Sequence, residues 1–305
     1  MLQSGFGIAL LFILLLVCII LFVAENRRSH TKLSINEHKI ISDKIPFEFH
    51  NKKIAFLSDL HNNEFGMGNE KLLQLLDQAN PDYVFVGGDM LVSKYGDAYD
   101  TALDLLTKLA QKYPVYCGNG NHEARLLWKA EENPASGRIY HDYIESIKKS
   151  GVRHLCNETC KIEFGNTFIY LSEVDLSQYY YKKFKTRYLE LSHMEQVVGK
   201  CKQDSFHILL AHNPAYFDTY GEWGADITLS GHIHGGIMRL PLLGGVIDPA
   251  YHLFPKYDAG LFEKETKKMI VSVGLGTHSI KIRLWNPPII DIITLKNSEK
   301  EGKHE

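Results

Sequence analysis

Lys53-Ile54-Ala55-Phe56-Leu57-Ser58-Asp59-Leu60-His61 is the stretch that decides the fold. Four consecutive apolar residues without alternation predict a strand buried on both faces. The run stops at Asp59, and His61 follows at once. Residues 69–79 then show the apolar spacing of an amphipathic helix through Leu72, Leu73, Leu75 and Leu76, with Asn69 as its cap. After Pro81, Tyr83-Val84-Phe85-Val86 is a second buried strand that stops at Gly87-Gly88-Asp89. Residues 97–112 repeat the helical pattern through Ala102, Leu105, Leu106 and Leu109. Pro114-Val115-Tyr116-Cys117 is a third strand, and it stops at Gly118-Asn119-Gly120-Asn121-His122. Strand, helix, strand, helix, strand predicts right-handed crossovers in a parallel or mixed sheet, hence an α/β class.

The second half carries the same signature with different connections. Residues 159–164 and 167–172 predict a hairpin turning at Gly165-Asn166. A helix is expected over 188–201. Buried strands over 206–211 and 225–229 stop at His212 and at Ser230-Gly231-His232. Strands over 268–273 and 289–295 close the chain.

Five of these strands deliver Asp, Asn or His just past their C-terminal ends, the edge at which α/β sheets build sites. The delivered groups are Asp59 with His61, Asp89, Asn121 with His122, His212, and His232 with His234. A lone His-x-His is more often a satisfied pair than a ligand set, and Gly-Asp after a strand is usually a turn. The ordered conjunction of all five carries the weight. Imidazoles mixed with carboxylates suit first-row transition ions. Seven or eight ligands around a central carboxylate exceed one tetrahedral site and fit two metals about 3.5–4 Å apart.

With these motifs on the page, the chain resembles the calcineurin-like metallophosphoesterase family. The residues that carry the resemblance are Asp59-Leu60-His61, Gly88-Asp89, Gly120-Asn121-His122-Glu123, His212 and Gly231-His232-Ile233-His234. Ser230 to Gly236, followed by Arg239-Leu240-Pro241, is similar to the bacterial membrane- or envelope-associated branch. The resemblance implies a four-layer αββα sandwich. It implies that Asp59, His61 and His234 hold one divalent ion (Mn, Fe or Zn) and that Asn121, His212 and His232 hold a second. Asp89 would bridge them, since a carboxylate offers one oxygen to each. His122 would face the leaving oxygen as proton donor. The implied reaction is hydrolysis of a phosphodiester or pyrophosphate by a hydroxide shared between the two ions.

One departure stands out. Many members of the family have Asp three positions after the bridging Asp, where it orients the catalytic His; this chain has Val92 there, followed by Ser93. Ser93 and Asp97 are the local substitutes. Ile237 also replaces a residue that is often polar in relatives.

Residues 5–24 form an apolar run with no charge, long enough at about 1.5 Å per residue to cross a bilayer core of roughly 30 Å. No basic residue precedes it and no small-x-small cleavage pattern ends it, so a retained transmembrane helix is expected rather than a signal peptide. The predicted organisation is an anchor over 1–24, a linker over 25–30, the phosphoesterase domain over 31–297 and a polar tail over 298–305. Arg27, Arg28 and Lys32 after the run place the domain on the cytoplasmic side. Five cysteines without a paired framework agree with a reducing compartment.

Composition excludes other classes. With 305 residues, 45% of them hydrophobic, and a net charge of −2, the chain is neither disordered nor a disulfide scaffold. A mean hydropathy of −0.18 excludes a polytopic membrane protein. The balance of 34 basic against 36 acidic residues gives no field for nucleic acid, so a nuclease is disfavoured.

Three further stretches could shape specificity. They are the polar insertion 124–138 with Trp128, the aromatic and basic stretch 179–185, and the apolar segment 237–257. An ordinary surface or packing role competes with each. A domain tied to a bilayer meets lipid-linked substrates at high effective concentration, which favours a phosphorylated lipid or envelope precursor. The competing readings are a non-catalytic interaction module on the same fold and a phosphodiesterase of soluble nucleotides.

Overall fold

The uninterrupted apolar runs become the central strands of two six-stranded sheets. The protein is described by a computed structural model that covers residues 2–93, 99–185, 187–240, 242–277 and 281–301. In chain order its strands are β1 (Ser34–Ser42), β2 (Lys53–Leu57), β3 (Tyr83–Val86), β4 (Val115–Cys117), β5 (Arg153–His154), β6 (Thr159–Phe164), β7 (Thr167–Val174), β8 (His207–Ala211), β9 (Ile227–Ser230), β10 (Arg239–Leu240), β11 (Gly244–Gly245), β12 (Gly260–Lys264), β13 (Lys267–Val271) and β14 (Ile289–Asn297). Its helices are α1 (Leu2–Thr31), α2 (Glu70–Ala79), α3 (Asp100–Ala110), α4 (Asn121–Trp128), α5 (Pro134–Lys149), α6 (Leu191–Val198), α7 (Phe217–Trp223) and α8 (Ser298–Glu301).

The first sheet has the order β1-β14-β2-β3-β4-β5, with β2 to β5 parallel and β14 antiparallel to β2. The second has the order β12-β13-β9-β8-β7-β6. Its four central strands are parallel, and the hairpin partners β12 and β6 lie at its edges. Alternation along each strand sends side chains to both faces. Phe56, Phe85 and Ile293 from the first sheet meet Ile208, Leu210, Ile227 and Ile270 from the second in one core between the sheets. On the outer face of the first sheet, Leu57, Val84 and Val86 lie under the apolar faces of α2, α3 and α5. On the outer face of the second, Leu209 and Ala211 lie under α6 and α7 through Met194, Tyr220 and Trp223. This is the expected αββα sandwich. Each fully buried Leu, Ile or Phe contributes about 1.5–3 kcal/mol.

Several local expectations change. Asn69 occupies the cap position of α2, but its carboxamide oxygen accepts from the Phe65 N–H instead of capping the helix. The helix expected over 97–112 runs from Asp100 to Ala110, and Asp97 lies outside the described residues. The helix expected over 188–201 is shorter, Leu191–Val198, because Gly199 with φ 85° ends it. The insertion 124–138 is not a loop: most of it belongs to α4 and to the start of α5, where Asn133 caps α5 by accepting from Ala135 N–H.

α1 is long and apolar enough to cross a membrane by length and composition. It does not end at Ala24. Residues 25–30, expected as a linker, continue the helix and dock on the body, with Ser29 completely buried. Glu25 accepts the backbone N–H of Trp285 at 2.9 Å and the Ser29 hydroxyl at 2.7 Å. Asn26 accepts the N–H of Arg283 at 2.8 Å.

Candidate metal centre

All five delivering strands end on the same side of the sandwich, and their following turns pack into one another. The turn after β2 extends the parallel ladder to the turn after β3: Asp59, His61 and Asn62 N–H donate to the carbonyls of Gly88, Asp89 and Met90, each at 3.0 Å. Asp59, His61, Asp89, His232 and His234 all have φ between 49° and 68°, a region that disfavours residues with a Cβ. Such backbone persists only where the surroundings over-determine it, and it gathers at functional sites. The neighbouring glycines show how tightly the turns meet. A Cβ on Gly88 would lie 1.9 Å from Gly120 N, and one on Gly120 would lie 2.2 Å from an Asp89 carboxylate oxygen.

The structure brings the seven candidate ligands and His122 together around one edge of the sandwich. Donor atoms of Asp59, His61 and His234 form one group, and those of Asp89, His212 and His232 form another. His61 Nε2 is 3.1 Å from His234 Nε2, His234 Nε2 is 3.3 Å from Asp59 Oδ1, and His212 Nε2 is 3.2 Å from Asp89 Oδ2. His61 Nε2 also lies 3.7 Å from Asp89 Oδ2, so Asp89 faces both groups. Two ligands of one ion, each about 2.1 Å from it at roughly tetrahedral or octahedral angles, are separated by distances of this order. The tautomers fit as well. His212 Nδ1–H donates to Gly87 O at 2.7 Å and His234 Nδ1–H to Gly276 O at 3.2 Å, which leaves both Nε2 lone pairs directed into the centre. Asn121 Oδ1 is buried and has no hydrogen-bond partner. An amide oxygen without a donor fits a hard cation.

The electrostatics point the same way. Burial raises the Asp59 carboxyl, but His234, His212 and His61 outweigh it and hold it well below the carboxylate range. Asp89 is likewise lowered, against burial, by His212, His122 and His61. Burial pushes the His212 imidazole down, yet Asp89 and Asp59 hold it up at about 10. A field that favours positive charge on a buried imidazole suits cations. The residues present therefore fit a pair of divalent ions.

His122 opens α4 beside this centre, its ring 4.8 Å from that of His61. The position of the missing Asp is filled by main chain: Ser93 N–H donates to His122 Nδ1 at 3.1 Å, with the Ser93 hydroxyl 3.3 Å away. A donor at Nδ1 fixes the proton on Nε2. His122 N–H itself donates to Asp89 Oδ1 at 2.6 Å. Glu123, whose part sequence reasoning missed, is the hub of the turns. Its carboxyl accepts from Asp89 N–H and Met90 N–H at 2.8 Å and from Gly120 N–H at 3.0 Å. Burial and the nearby Asp89 charge push its pKa up to about 7. The signal was present: an acid directly after Asn-His, three residues past a glycine, is the pattern of a capping box.

A cleft of about 310 Å³ opens over the centre, lined by His122, His232 and His234, by the cations Arg125 and Lys183, and by an apolar wall that includes Ile237 and Ile282. Tyr181, from the stretch 179–185, stands in it with its ring 5.1 Å from that of His232. Arg283 is a second residue that the sequence reading missed. It is 2% exposed, forms no salt bridge among the described residues, and donates to the carbonyls of Val273, Gly274, Gly276 and Asn286. Asn286 in turn donates from its amide to His234 O and Gly236 O. A lone arginine inside Ile282-Arg283-Leu284-Trp285 was the only sequence cue.

The fold and this constellation define a class, and comparison with known proteins supplies its name. The model of the calcineurin-like phosphoesterase family matches residues 52–236, so the chain belongs to that family of metal-dependent phosphoester hydrolases, whose members use a dimetal centre. Among curated relatives it is similar to the uncharacterized metallophosphoesterase YkuE of Bacillus subtilis, with 26% identity over 87% of this chain and 86% of that one. It is also similar to the phosphodiesterase YaeI of Escherichia coli, with 26% identity over 74% of this chain and 75% of that one. Among solved structures, the phosphopantetheinyl hydrolase of Mycobacterium tuberculosis aligns with a TM-score of 0.47 at 14% identity, over 74% of this chain and 91% of that one.

Proposed function

We propose that this chain is a membrane-anchored dimetal phosphoesterase that hydrolyses a phosphodiester or pyrophosphate bond in a lipid-linked or envelope-precursor substrate, with its domain on the cytoplasmic side. The observation that carries the reading is the pair of donor groups Asp59-His61-His234 and Asp89-His212-His232, with Asp89 Oδ2 3.7 Å from His61 Nε2 of the first, beside the unpartnered oxygen of Asn121. Asp59, His61 and His234 would hold one ion and Asn121, His212 and His232 the other, with Asp89 placed to serve both. When bound, the ions supply Lewis acidity toward the phosphoryl group and the attacking water.

The chain's own groups account for the rest. Arg125 and Lys183 attract and orient the anionic substrate, and Tyr181 walls the cleft beside His232. His122, with its proton on Nε2, donates it to the departing oxygen. The apolar wall accommodates an apolar group on the substrate. The name of the Escherichia coli relative supports a diester over a monoester. α1 supports the anchor, and Arg27, Arg28 and Lys32 support the orientation.

The test is metal content together with hydrolysis of bis-p-nitrophenyl phosphate in the presence of manganese. About two ions per chain and turnover that disappears in Asp89→Asn are expected. Turnover equal to that of Asp89→Asn would sink the enzyme reading and favour a non-catalytic module.

A further inference from the structure

On segments that line or adjoin the cleft, five bulky apolar side chains stand in solvent at turn positions with left-handed backbone: Phe184 (φ 62°), Leu242 (φ 68°), Tyr251 (φ 67°), Phe254 (φ 50°) and Trp285 (φ 51°). Leu242 is fully exposed and Phe184 is 74% exposed; Leu243 and Leu253, beside them, are also mostly exposed. Both choices oppose stability. Left-handed backbone disfavours residues with a Cβ, and an exposed Leu or Phe gains nothing from folding. Patches of this kind mark surfaces that meet something apolar.

The segments that carry these residues are tied together through the main chain. Phe184 N–H donates to Ala250 O, and its ring stacks on Tyr251 at 5.1 Å. Phe254 N–H donates to Val246 O, just past β11. Leu242 and Leu243 lie in the turn between the paired strands β10 and β11, and Arg239 N–H of β10 donates to Leu284 O. Trp285 N–H then donates to Glu25 of α1. These segments are thus linked by hydrogen bonds to the foot of the one helix, among the described residues, that is suited to cross a membrane. Cations are interleaved with these segments: Lys183 stands 4.7 Å over the Tyr251 ring, and Lys182, Lys185 and Lys256 line an adjoining cleft that shares Tyr181 and Ala250 with the first.

We propose that this rim is a membrane-contact surface. Leu242, Leu243, Phe254 and Trp285 seat in the headgroup layer of the bilayer that α1 enters. The lysines face anionic phosphates, and the cleft takes the phosphate of an amphiphile whose acyl chains stay in the bilayer. Aromatic and basic residues together are the composition of an interface with anionic lipid. The clamp between α1 and the 281–286 segment fixes the mouth relative to the membrane, as a flexible linker would not. The inference rests on reading α1 as an anchor and the cleft as the phosphoesterase site.

The experiment uses the full chain in vesicles of phosphatidylcholine and phosphatidylglycerol whose acyl chains carry bromine. Trp285 is one of three tryptophans. Brominated lipid should quench the wild type, and the Trp285→Phe variant should lose at least threefold less of its fluorescence. Equal quenching in the two overturns the proposal, and so does failure of the chain to float with the vesicles. The double variant Leu242→Asp/Leu243→Asp should raise KM for a vesicle-embedded phosphodiester lipid at least fivefold, with kcat/KM for bis-p-nitrophenyl phosphate within twofold of wild type. An equal loss on both substrates, or on neither, overturns the rim. So does a shift from dimer to single chain on the double substitution, which would make this face a contact between two copies. Absence of all hydrolysis sinks the phosphoesterase reading alone, because the quenching result still decides the rim.

Discussion

Asn26 and Arg283 are 257 residues apart, and the carboxamide oxygen of the first accepts the backbone N–H of the second at 2.8 Å. From there the connection runs inward. The Arg283 guanidinium and His234 Nδ1–H both donate to the carbonyl of Gly276, and His234 is one of the proposed ligands. The foot of α1 is therefore part of the scaffold behind the metal centre. Removing one such bond costs about 1 kcal/mol, which is roughly a fivefold change in an equilibrium constant. Asn26→Ala should weaken manganese retention about fivefold in competition with a chelator. kcat at saturating manganese should stay within about twofold of wild type.

Asn121 allows stability to be separated from metal binding. Its buried Oδ1 has no hydrogen-bond partner. Replacing an unsatisfied polar group by an apolar one of similar shape is neutral or stabilising. Asn121→Leu, measured with chelator present, should unfold at the same or a higher temperature than wild type. With manganese it should bind about one ion per chain instead of two and lose activity at least about a hundredfold.

For His122, the main chain of Ser93 is the partner at Nδ1 that side-chain substitution leaves in place. Ser93→Ala keeps the N–H that donates to Nδ1 and removes only a hydroxyl 3.3 Å away, so activity should fall less than about threefold. His122→Gln removes the acid and should lower kcat by about 10²–10⁴-fold. That loss should be larger for a phenyl than for a p-nitrophenyl leaving group, because the better leaving group needs less protonation. Equal losses on both leaving groups would remove His122 from the role of acid.

Gly88 carries the closest approach in the centre. Its φ is 87°, and a Cβ added to it would stand 1.9 Å from Gly120 N, so even alanine forces the turns after β3 and β4 apart. Gly88→Ala should destabilise the fold by more than about 3 kcal/mol in urea denaturation and abolish metal binding.

His154, away from the centre, contributes to the pH dependence of stability. Burial lowers the His154 pKa from 6.5 to about 4, and its Nε2 is 2.9 Å from Asn119 Oδ1. The folded state holds this imidazole neutral while the unfolded chain protonates it. The contribution to stability is therefore complete above pH 6.5 and is lost progressively as pH falls toward 4. Between pH 7.5 and 5 the loss is about 2 kcal/mol from this residue. His154→Gln should flatten the denaturation midpoint against pH over that window relative to wild type.

The strand ends were legible from the sequence because unbroken apolar runs that stop at Asp, Asn or His leave little choice of register. The order Asp59, Asp89, Asn121, His212, His232 along the chain became one edge of the sandwich for that reason. Helix ends were less legible. The polar segment 124–138 reads as an insertion until Asn133 is seen capping α5, and 25–30 reads as a linker because its charges interrupt the apolar run. Ser93 was named from the sequence beside Asp97, though not for its main-chain N–H; Arg283 and Asn26 could not be found in advance. Each acts through a main-chain group or on a carbonyl far away in sequence, and neither leaves a pattern in side-chain identity.

Asp59, His61, Asp89 and Asn121 come from the first sheet, and His212, His232 and His234 from the second. Each of the two proposed ion positions draws on both sheets, so neither half of the sandwich holds a complete seat. The affinity of the centre is then a property of the apolar seam between the sheets as much as of any ligand. Trimming Phe56 or Leu210 in that seam would loosen an ion that neither residue touches. A screen for loss of metal in this chain should return substitutions deep between the sheets.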